Sequence, residues 1–118
     1  MLVAVYGTLK RGMVNHRLLI GSQFLGDDRL VDIVLYELEE FPAAQLEQSD
    51  GVHVEVYEVS KRVLAMLDNL EEVDQEAPEK GLYRRAQCDT RYGVAWIYLY
   101  NGALKGISKV TSGSWQPK

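Results

Sequence analysis

The feature that most constrains the fold is a change of hydrophobic period at Ser60. Before it, between Gly51 and Val59, the apolar residues Val52, Val54 and Val56 alternate with residues on the opposite face, which is typical of a half-buried strand. After Ser60 the apolar positions follow a helical period instead. The chain therefore places a strand directly before a helix, with Ser60 as the predicted N-cap.

The helix is predicted to run from Ser60 through about Val73. Its apolar positions are spaced for one face: Val63, Met66, Leu67, Leu70 and Val73. At roughly 100° per residue, with Val63 at zero, Leu67 falls near ~40°, Glu71 near ~80° and Leu64 near ~100°. Asp68, Glu72 and Lys61 fall near ~140° to ~180°, on the face expected to meet water. Glu71 is thus a carboxylate inside an apolar stripe.

The N-terminal half contains a short apolar run, Leu2–Tyr6, which predicts a buried strand that ends at Gly7. Asn15 is the predicted cap of a short helix over His16–Ile20. A further strand is predicted at Val31–Tyr36.

The segment Phe41–Ala43 is interpreted as a break in the strand pattern. Further on, Tyr83–Asp89 and Val94–Tyr100 are predicted to pair as a hairpin with a turn near Tyr92-Gly93. This order lacks the regular alternation of a doubly wound sheet. It predicts a single α+β domain over residues 1–118, with a mixed, barrel-like sheet and a few helices.

Burial of the Glu71 carboxylate would raise its pKa from about 4.3 towards the range useful for proton transfer near neutral pH. The alternative is a glutamate at the rim that reaches water or pairs with an arginine. The helical pattern alone leaves both open.

The loop Tyr6-Gly7-Thr8-Leu9 follows the first strand. Gly7 allows close backbone approach, and successive N–H groups there could hold a carboxylate or an oxyanion. Lys10 and Arg11 come next and are expected to favour an anionic ligand locally. A glycine required only for a tight turn is the alternative.

Composition excludes several classes of function. A net charge of -4 with scattered basic residues argues against a nucleic-acid surface. No stretch approaches the roughly 20 apolar residues needed to cross a bilayer, so a cytoplasmic protein is expected. Cys88 is expected to be a small buried residue without chemistry, and neither His16 nor His53 has a partner at a recognised ligand spacing, so no metal is predicted.

Several segments resemble one known family. Val5-Tyr6-Gly7-Thr8-Leu9-Lys10-Arg11-Gly12 and the later Asn15–Leu19 resemble the opening of the γ-glutamylcyclotransferase-like superfamily, particularly its AIG2-like, γ-glutamylamine cyclotransferase branch. Leu67-Asp68-Asn69-Leu70-Glu71 resembles the family's Leu-Asp-x-x-Glu helix end. Val52–Val59 and Tyr83-Arg84-Arg85 resemble its Gly-Glu-Val-Tyr and Tyr-x-Arg strands, although Val54 stands where the family usually has glycine.

The resemblance implies an enzyme that releases 5-oxoproline from a γ-glutamyl amine or peptide, when the substrate's α-amine attacks its own γ-carbonyl. It implies that Glu71 is the catalytic acid/base and that Tyr6, Gly7, Thr8 and Leu9 bind the substrate. No cofactor and no protein nucleophile are implied, because the substrate carries both reacting groups.

Tyr83 and Tyr100 are further candidate substrate-binding residues, with core packing as the alternative for each. Two other functions stay open: a non-catalytic small-molecule-binding protein of the same fold, and a lyase that removes a γ-glutamyl group from a biosynthetic intermediate. The expected partner is a small γ-glutamyl substrate, and the expected state is a monomer.

Overall fold

The computed structural model describes residues 1–117. In that range it contains seven strands, one α-helix and two short 3₁₀ helices. The strands are β1 (Leu2–Val5), β2 (Gln23–Leu30), β3 (Ile33–Glu37), β4 (Pro42–Leu46), β5 (Val52–Glu58), β6 (Tyr83–Thr90) and β7 (Gly93–Tyr100). The helix α1 spans Lys61–Leu70, and the 3₁₀ helices span His16–Leu19 and Pro78–Lys80.

Five strands form one mixed sheet in the order β2-β5-β1-β7-β6, and β3 pairs with β4 in a separate hairpin. The central strand β1 is antiparallel to β5 and parallel to β7. This arrangement confirms the predicted α+β class with a mixed sheet.

Both faces of the sheet are buried. Side chains alternate along β1, so that Val3 and Val5 face α1, whereas Ala4 faces the β3–β4 hairpin. The helix covers the first face with Leu64 and Leu67. The short strand β1 therefore packs against α1 on one face and against the β3–β4 hairpin on the other, and the loop that follows β1 lies between these two layers.

The strand at Gly51–Val59 and the C-terminal hairpin are confirmed. Thr90 and Gly93 pair across β6 and β7, so the turn is Arg91-Tyr92, one residue earlier than predicted. Two other predictions are wrong at Phe41–Ala43 and Val31: Pro42 begins β4, and β3 starts at Ile33 rather than at Val31.

The helix begins as predicted, because the Ser60 hydroxyl oxygen accepts a hydrogen bond of 3.1 Å from the N–H of Val63. It ends at Leu70, earlier than the predicted Val73. Glu72 has a φ of 53° and donates to the carbonyl of Asn69, while Val73 donates to that of Asp68. These bonds form a Schellman motif, in which Glu72 occupies the left-handed position that glycine usually takes.

The short helix near residue 16 is a 3₁₀ helix that ends at Leu19. Asn15 does not cap it. The Asn15 side-chain amide donates instead to the Thr8 hydroxyl oxygen at 3.0 Å, which ties this segment to the loop after β1. Among residues 1–117, no helix has the length and apolar character required to span a membrane.

Candidate active site

A cavity of about 450 Å³ lies where the end of β1 meets the end of α1, the start of β4 and the strands β6 and β7. Its lining includes Tyr6, Gly7, Thr8, Leu9, Glu71 and Tyr83. Segments that are distant in the sequence thus supply one concave site. The size and the largely apolar lining suit a small ligand.

Glu71 reaches the cavity because it is the C-cap residue of α1. Its N–H still closes the last helical bond, to Leu67 at 2.9 Å, so its side-chain direction continues the helical pattern. The residue is half-buried, and the surrounding protein removes much of the hydration of its carboxyl group. This burial raises the pKa of Glu71 from about 4.5 to about 7.

No salt bridge involves Glu71 in the part of the chain that the structure describes. The alternative in which Glu71 pairs with an arginine therefore has no support among these residues. An unpaired carboxyl group with a pKa near 7 can both take and return a proton at neutral pH.

Two tyrosines, Tyr6 and Tyr83, line the cavity, and each donates its hydroxyl proton to a main-chain carbonyl group. The Tyr6 hydroxyl donates to the carbonyl of Tyr98 at 2.5 Å, and the Tyr83 hydroxyl donates to the carbonyl of Pro42 at 2.8 Å. Burial raises the pKa of both, and the nearby charge of Glu71 adds to the effect. Both groups remain neutral, and each locks the wall to a neighbouring strand.

Gly7 is required by packing. A Cβ atom at this position would lie 2.6 Å from Cγ of Pro42, far inside van der Waals contact. Because Pro42 also lines the cavity, the missing side chain of Gly7 lets β4 close against the loop. The close approach at Gly7 is thus an approach of the loop backbone to Pro42 of the same chain.

The backbone amides of Thr8 and Leu9 have no acceptor within residues 1–117, although the carbonyl groups of the same two residues are bonded. The carbonyl of Gly7 accepts from the N–H of Lys10 at 3.0 Å, which closes the turn. Adjacent unpaired N–H groups can hold a carboxylate or an oxyanion. The Thr8 hydroxyl already accepts from Asn15 and keeps its own proton for a ligand.

The predicted contribution of Lys10 and Arg11 to this site is wrong. Lys10 is buried, and its ammonium group donates to the Ser114 hydroxyl and the Trp115 carbonyl, both at 3.2 Å. Arg11 turns to Glu55, which accepts its main-chain N–H at 2.9 Å. Neither basic side chain lines the cavity, because both are bound on other sides of the loop.

Tyr98 is a cavity residue that the sequence analysis missed, because that analysis names Tyr100 as the candidate on this strand. Tyr98 lines the cavity, whereas Tyr100 is not among the lining residues and packs edge-on against Tyr83 at 5.3 Å between ring centroids. Trp96, Tyr98 and Tyr100 share one face of β7, so the two-residue period of that strand was the available signal.

A separate group of side chains on β2 and β5 brings Asp27, His53 and Glu55 within reach of one another. This proximity is invisible in the sequence spacing. The guanidinium of Arg11 lies 3.7 Å from Asp27 and 3.4 Å from Glu55, so a cation of the chain already occupies the space between the two carboxylates. His16 lies elsewhere, with Nδ1 2.9 Å from the carbonyl of Leu9.

Cys88 is buried as predicted, in the layer between the sheet and the β3–β4 hairpin. Burial raises its thiol pKa to about 12, which leaves almost no thiolate at neutral pH.

Comparison with known proteins gives a consistent result. The family model described as "Gamma-glutamyl cyclotransferase, AIG2-like" matches residues 3–117. A Vibrio cholerae protein is 42% identical, over 97% of this chain and 94% of that relative. The solution structure of YtfP from Escherichia coli, a γ-glutamylcyclotransferase family protein, has a TM-score of 0.76 at 35% identity and covers 98% of this chain and 96% of YtfP.

A more distant relative from Niallia circulans is 29% identical, over 82% of this chain and 65% of its own length. Its name is γ-L-glutamyl-butirosin B γ-glutamyl cyclotransferase.

Proposed function

The chain belongs to the AIG2-like γ-glutamyl cyclotransferase family, and we propose that it releases 5-oxoproline from a γ-glutamyl amine or peptide with Glu71 as the general base and acid. The observation that carries the proposal is the position of Glu71, with a pKa near 7, in the same cavity as the unpaired amides of Thr8 and Leu9. A proton carrier and an anion-binding loop thus share one small site.

The proposed reaction is intramolecular. The α-amine of the substrate attacks the γ-carbonyl carbon, a bond forms between them, and the bond from that carbon to the departing nitrogen breaks. The attacking nitrogen loses one proton and the departing nitrogen gains one. Glu71 takes the first proton and delivers it to the second nitrogen, so it ends the cycle ionised, as it began.

A base of modest strength is sufficient for this transfer, because the proton of an α-amine becomes acidic as the new bond forms. The apolar wall, with Tyr6 and Tyr83 held in place, restricts the chain of the substrate to bent conformations in which the two reacting groups meet. The enzyme's main tasks are orientation and proton transfer.

The loop amides are proposed to bind either the α-carboxylate of the substrate or the oxyanion that develops on the γ-carbonyl. Tyr83 is proposed as a wall of the site. Tyr100 is proposed to support that wall through its edge-on contact with Tyr83.

The departing amine is not constrained by these contacts. The Niallia relative's name refers to γ-glutamyl-butirosin B, which is one example of a γ-glutamyl amide. A panel of γ-glutamyl amines and peptides, glutathione included, tests the function, with 5-oxoproline measured by mass spectrometry. Release from at least one compound is expected.

The rival function is a binding protein of the same fold that does not turn over its ligand. The absence of any ion pair at Glu71 in the described chain favours the catalytic alternative. Binding of several panel members by calorimetry, with no 5-oxoproline from any of them, would establish the rival.

A further inference from the structure

Asp68 is a buried carboxylate on α1, one helical turn before Glu71. It was expected on the water-facing side, but only 5% of it is exposed. Its oxygens accept hydrogen bonds from the Tyr98 hydroxyl at 2.7 Å and from the side-chain amide of Gln75 at 2.9 Å, and one of them forms an ion pair with Nε of Arg85 at 3.1 Å. The prediction of a solvated Asp68 is wrong because β6 and β7 pack against this side of the helix.

Tyr98 connects this network to the cavity. It lines the cavity, its carbonyl accepts the Tyr6 hydroxyl, and its own hydroxyl donates to Asp68. The residue is therefore fixed at both the main chain and the side chain. Asp68 does not itself line the cavity, so any effect on a ligand passes through Tyr98.

A phenol has one proton and two lone pairs. Asp68 is ion-paired with Arg85 and can only accept, so the proton of Tyr98 is committed to it. A group in the cavity that reaches the Tyr98 oxygen would find a lone pair there, because the proton is donated to Asp68. A free tyrosine hydroxyl can donate or accept a hydrogen bond, but the Tyr98 hydroxyl can only accept from a ligand, because it already donates to Asp68.

We propose that Asp68 is a positioning residue, which holds the Tyr98 oxygen as an acceptor for one N–H of the substrate's α-amine. This inference rests on the proposed cyclotransferase function. A neutral amine has two N–H bonds and one lone pair. When Glu71 accepts one N–H and Tyr98 the other, the lone pair is aimed away from both, towards the γ-carbonyl carbon.

The inference explains why two carboxylates lie one turn apart with different partners. Asp68 forms an ion pair with Arg85 and orients the Tyr98 hydroxyl, whereas Glu71 has no ion pair among residues 1–117 and transfers the proton. Arg85 is itself held by stacking of its guanidinium 4.5 Å from the centre of the Trp96 ring. The network is thus braced from the outer side of the helix.

A double-mutant cycle of Asp68→Asn and Tyr98→Phe tests the proposal, with kcat/KM for 5-oxoproline release as the readout. The side-chain amide introduced by Asp68→Asn can donate to the phenol and turn its proton towards the cavity. Each single variant is expected to lose about tenfold, the equivalent of one hydrogen bond. In the Tyr98→Phe background, Asp68→Asn is expected to have little further effect, because its route to the substrate is gone.

Gln75→Ala is the matched control, since it removes a contact of Asp68 that does not lead to the cavity. It is expected to stay within about twofold of the wild type. The acid limb of the pH profile is expected to remain in every active variant, because Glu71 is unchanged. A purely structural role of Asp68 would instead lower activity equally in both backgrounds.

Multiplicative losses in an active enzyme overturn the inference and leave the proposed function intact. If Asp68→Asn does not fold, Tyr98→Phe decides alone: unchanged kcat/KM overturns the inference, and a loss of about tenfold with a folded protein supports it. A wild-type protein that releases no 5-oxoproline from the panel overturns the proposed function and this inference with it.

Discussion

Glu71 and Asp68 lie three residues apart at the end of α1. Of these two carboxylates only Asp68 is paired with a basic side chain in the described chain, with Nε of Arg85 at 3.1 Å. The difference follows from their surroundings. Asp68 contacts Arg85 of β6 and the hydroxyl of Tyr98 on β7, while Glu71 faces a largely apolar cavity, and its burial raises its pKa to about 7. The same short helix end thus presents one ion-paired carboxylate and one carboxyl group that has no basic partner in the described chain.

The pH dependence of catalysis should report the Glu71 carboxyl group. As a base it must be ionised, so the profile of kcat/KM is expected to show one inflection at about pH 7 from Glu71, beside the inflection of the substrate's α-amine. The α-amine of the free substrate is titrated separately by NMR, so that its own inflection can be identified. An acid limb near pH 4.5, the ordinary value for this group, would contradict the raised pKa.

Stability should depend on pH through the same group. The folded protein holds the proton of Glu71 up to about pH 7, but the unfolded chain releases it near 4.5. The free energy of unfolding therefore falls as pH rises through this window, by roughly 3 kcal/mol for this carboxyl group.

Glu71→Gln removes this titration. The variant is expected to gain stability relative to the wild type between about pH 5 and about pH 8.5, measured as the change in Tm difference between the two. Glu76→Gln, at an exposed position, is the control and should show no such trend. Parallel Tm curves for Glu71→Gln and the wild type would show that Glu71 is not desolvated in the fold.

The contact between Gly7 and Pro42 predicts a packing defect in Gly7→Ala. The added methyl group would lie 2.6 Å from the proline ring, so β4 must move away from the loop. We expect a loss of about 1–3 kcal/mol in urea unfolding and a clear rise in KM. Gly12→Ala is the comparison, because its Cβ meets nothing within 4 Å and only its positive φ of 82° is strained.

If the two variants lose the same stability and Gly7→Ala keeps a normal KM, the packing role assigned to Gly7 is incorrect.

The charge around the cavity predicts a preference for the departing group. Glu40, Glu71 and Glu72 line it, and no lysine or arginine does so in the described range. At low salt we expect kcat/KM to be about three- to tenfold higher for a γ-glutamyl compound with a cationic amine than for a matched anionic one.

The preference is expected to shrink in Glu40→Gln and Glu72→Gln, and at high ionic strength, where exposed charges are screened. An equal ratio in the wild type and both variants would mean that these carboxylates do not act on the departing amine.

Much of the site could be predicted from the sequence. The helical period places Glu71 on the apolar face. This prediction is correct because the N–H of Glu71 still bonds to the carbonyl of Leu67, so the residue keeps a helical direction. The same period fails for Asp68, since a helical pattern describes one helix and cannot show which strands will pack against its other side. Tyr98 was missed for the same reason, as its role depends on the helix across from it.

The missed strands have local causes. In β2 the bulge at Leu25 and the polar run Asp27-Asp28-Arg29 interrupt any apolar alternation, because this strand lies at the edge of the sheet. Pro42 resembles a strand breaker, yet it is tolerated as the first residue of β4 in a two-stranded hairpin. Lys10 was misplaced because its direction depends on Trp115, which is 105 residues away in the chain.

The central claim is that Glu71 carries the proton, and turnover by Glu71→Gln tests it most directly. The amide keeps the shape of the side chain but cannot take a proton, so 5-oxoproline release is expected to fall at least about a hundredfold. The variant should still fold and bind substrate, as shown by circular dichroism and calorimetry, while Glu76→Gln keeps normal turnover. Near-normal release of 5-oxoproline by folded Glu71→Gln would contradict the account.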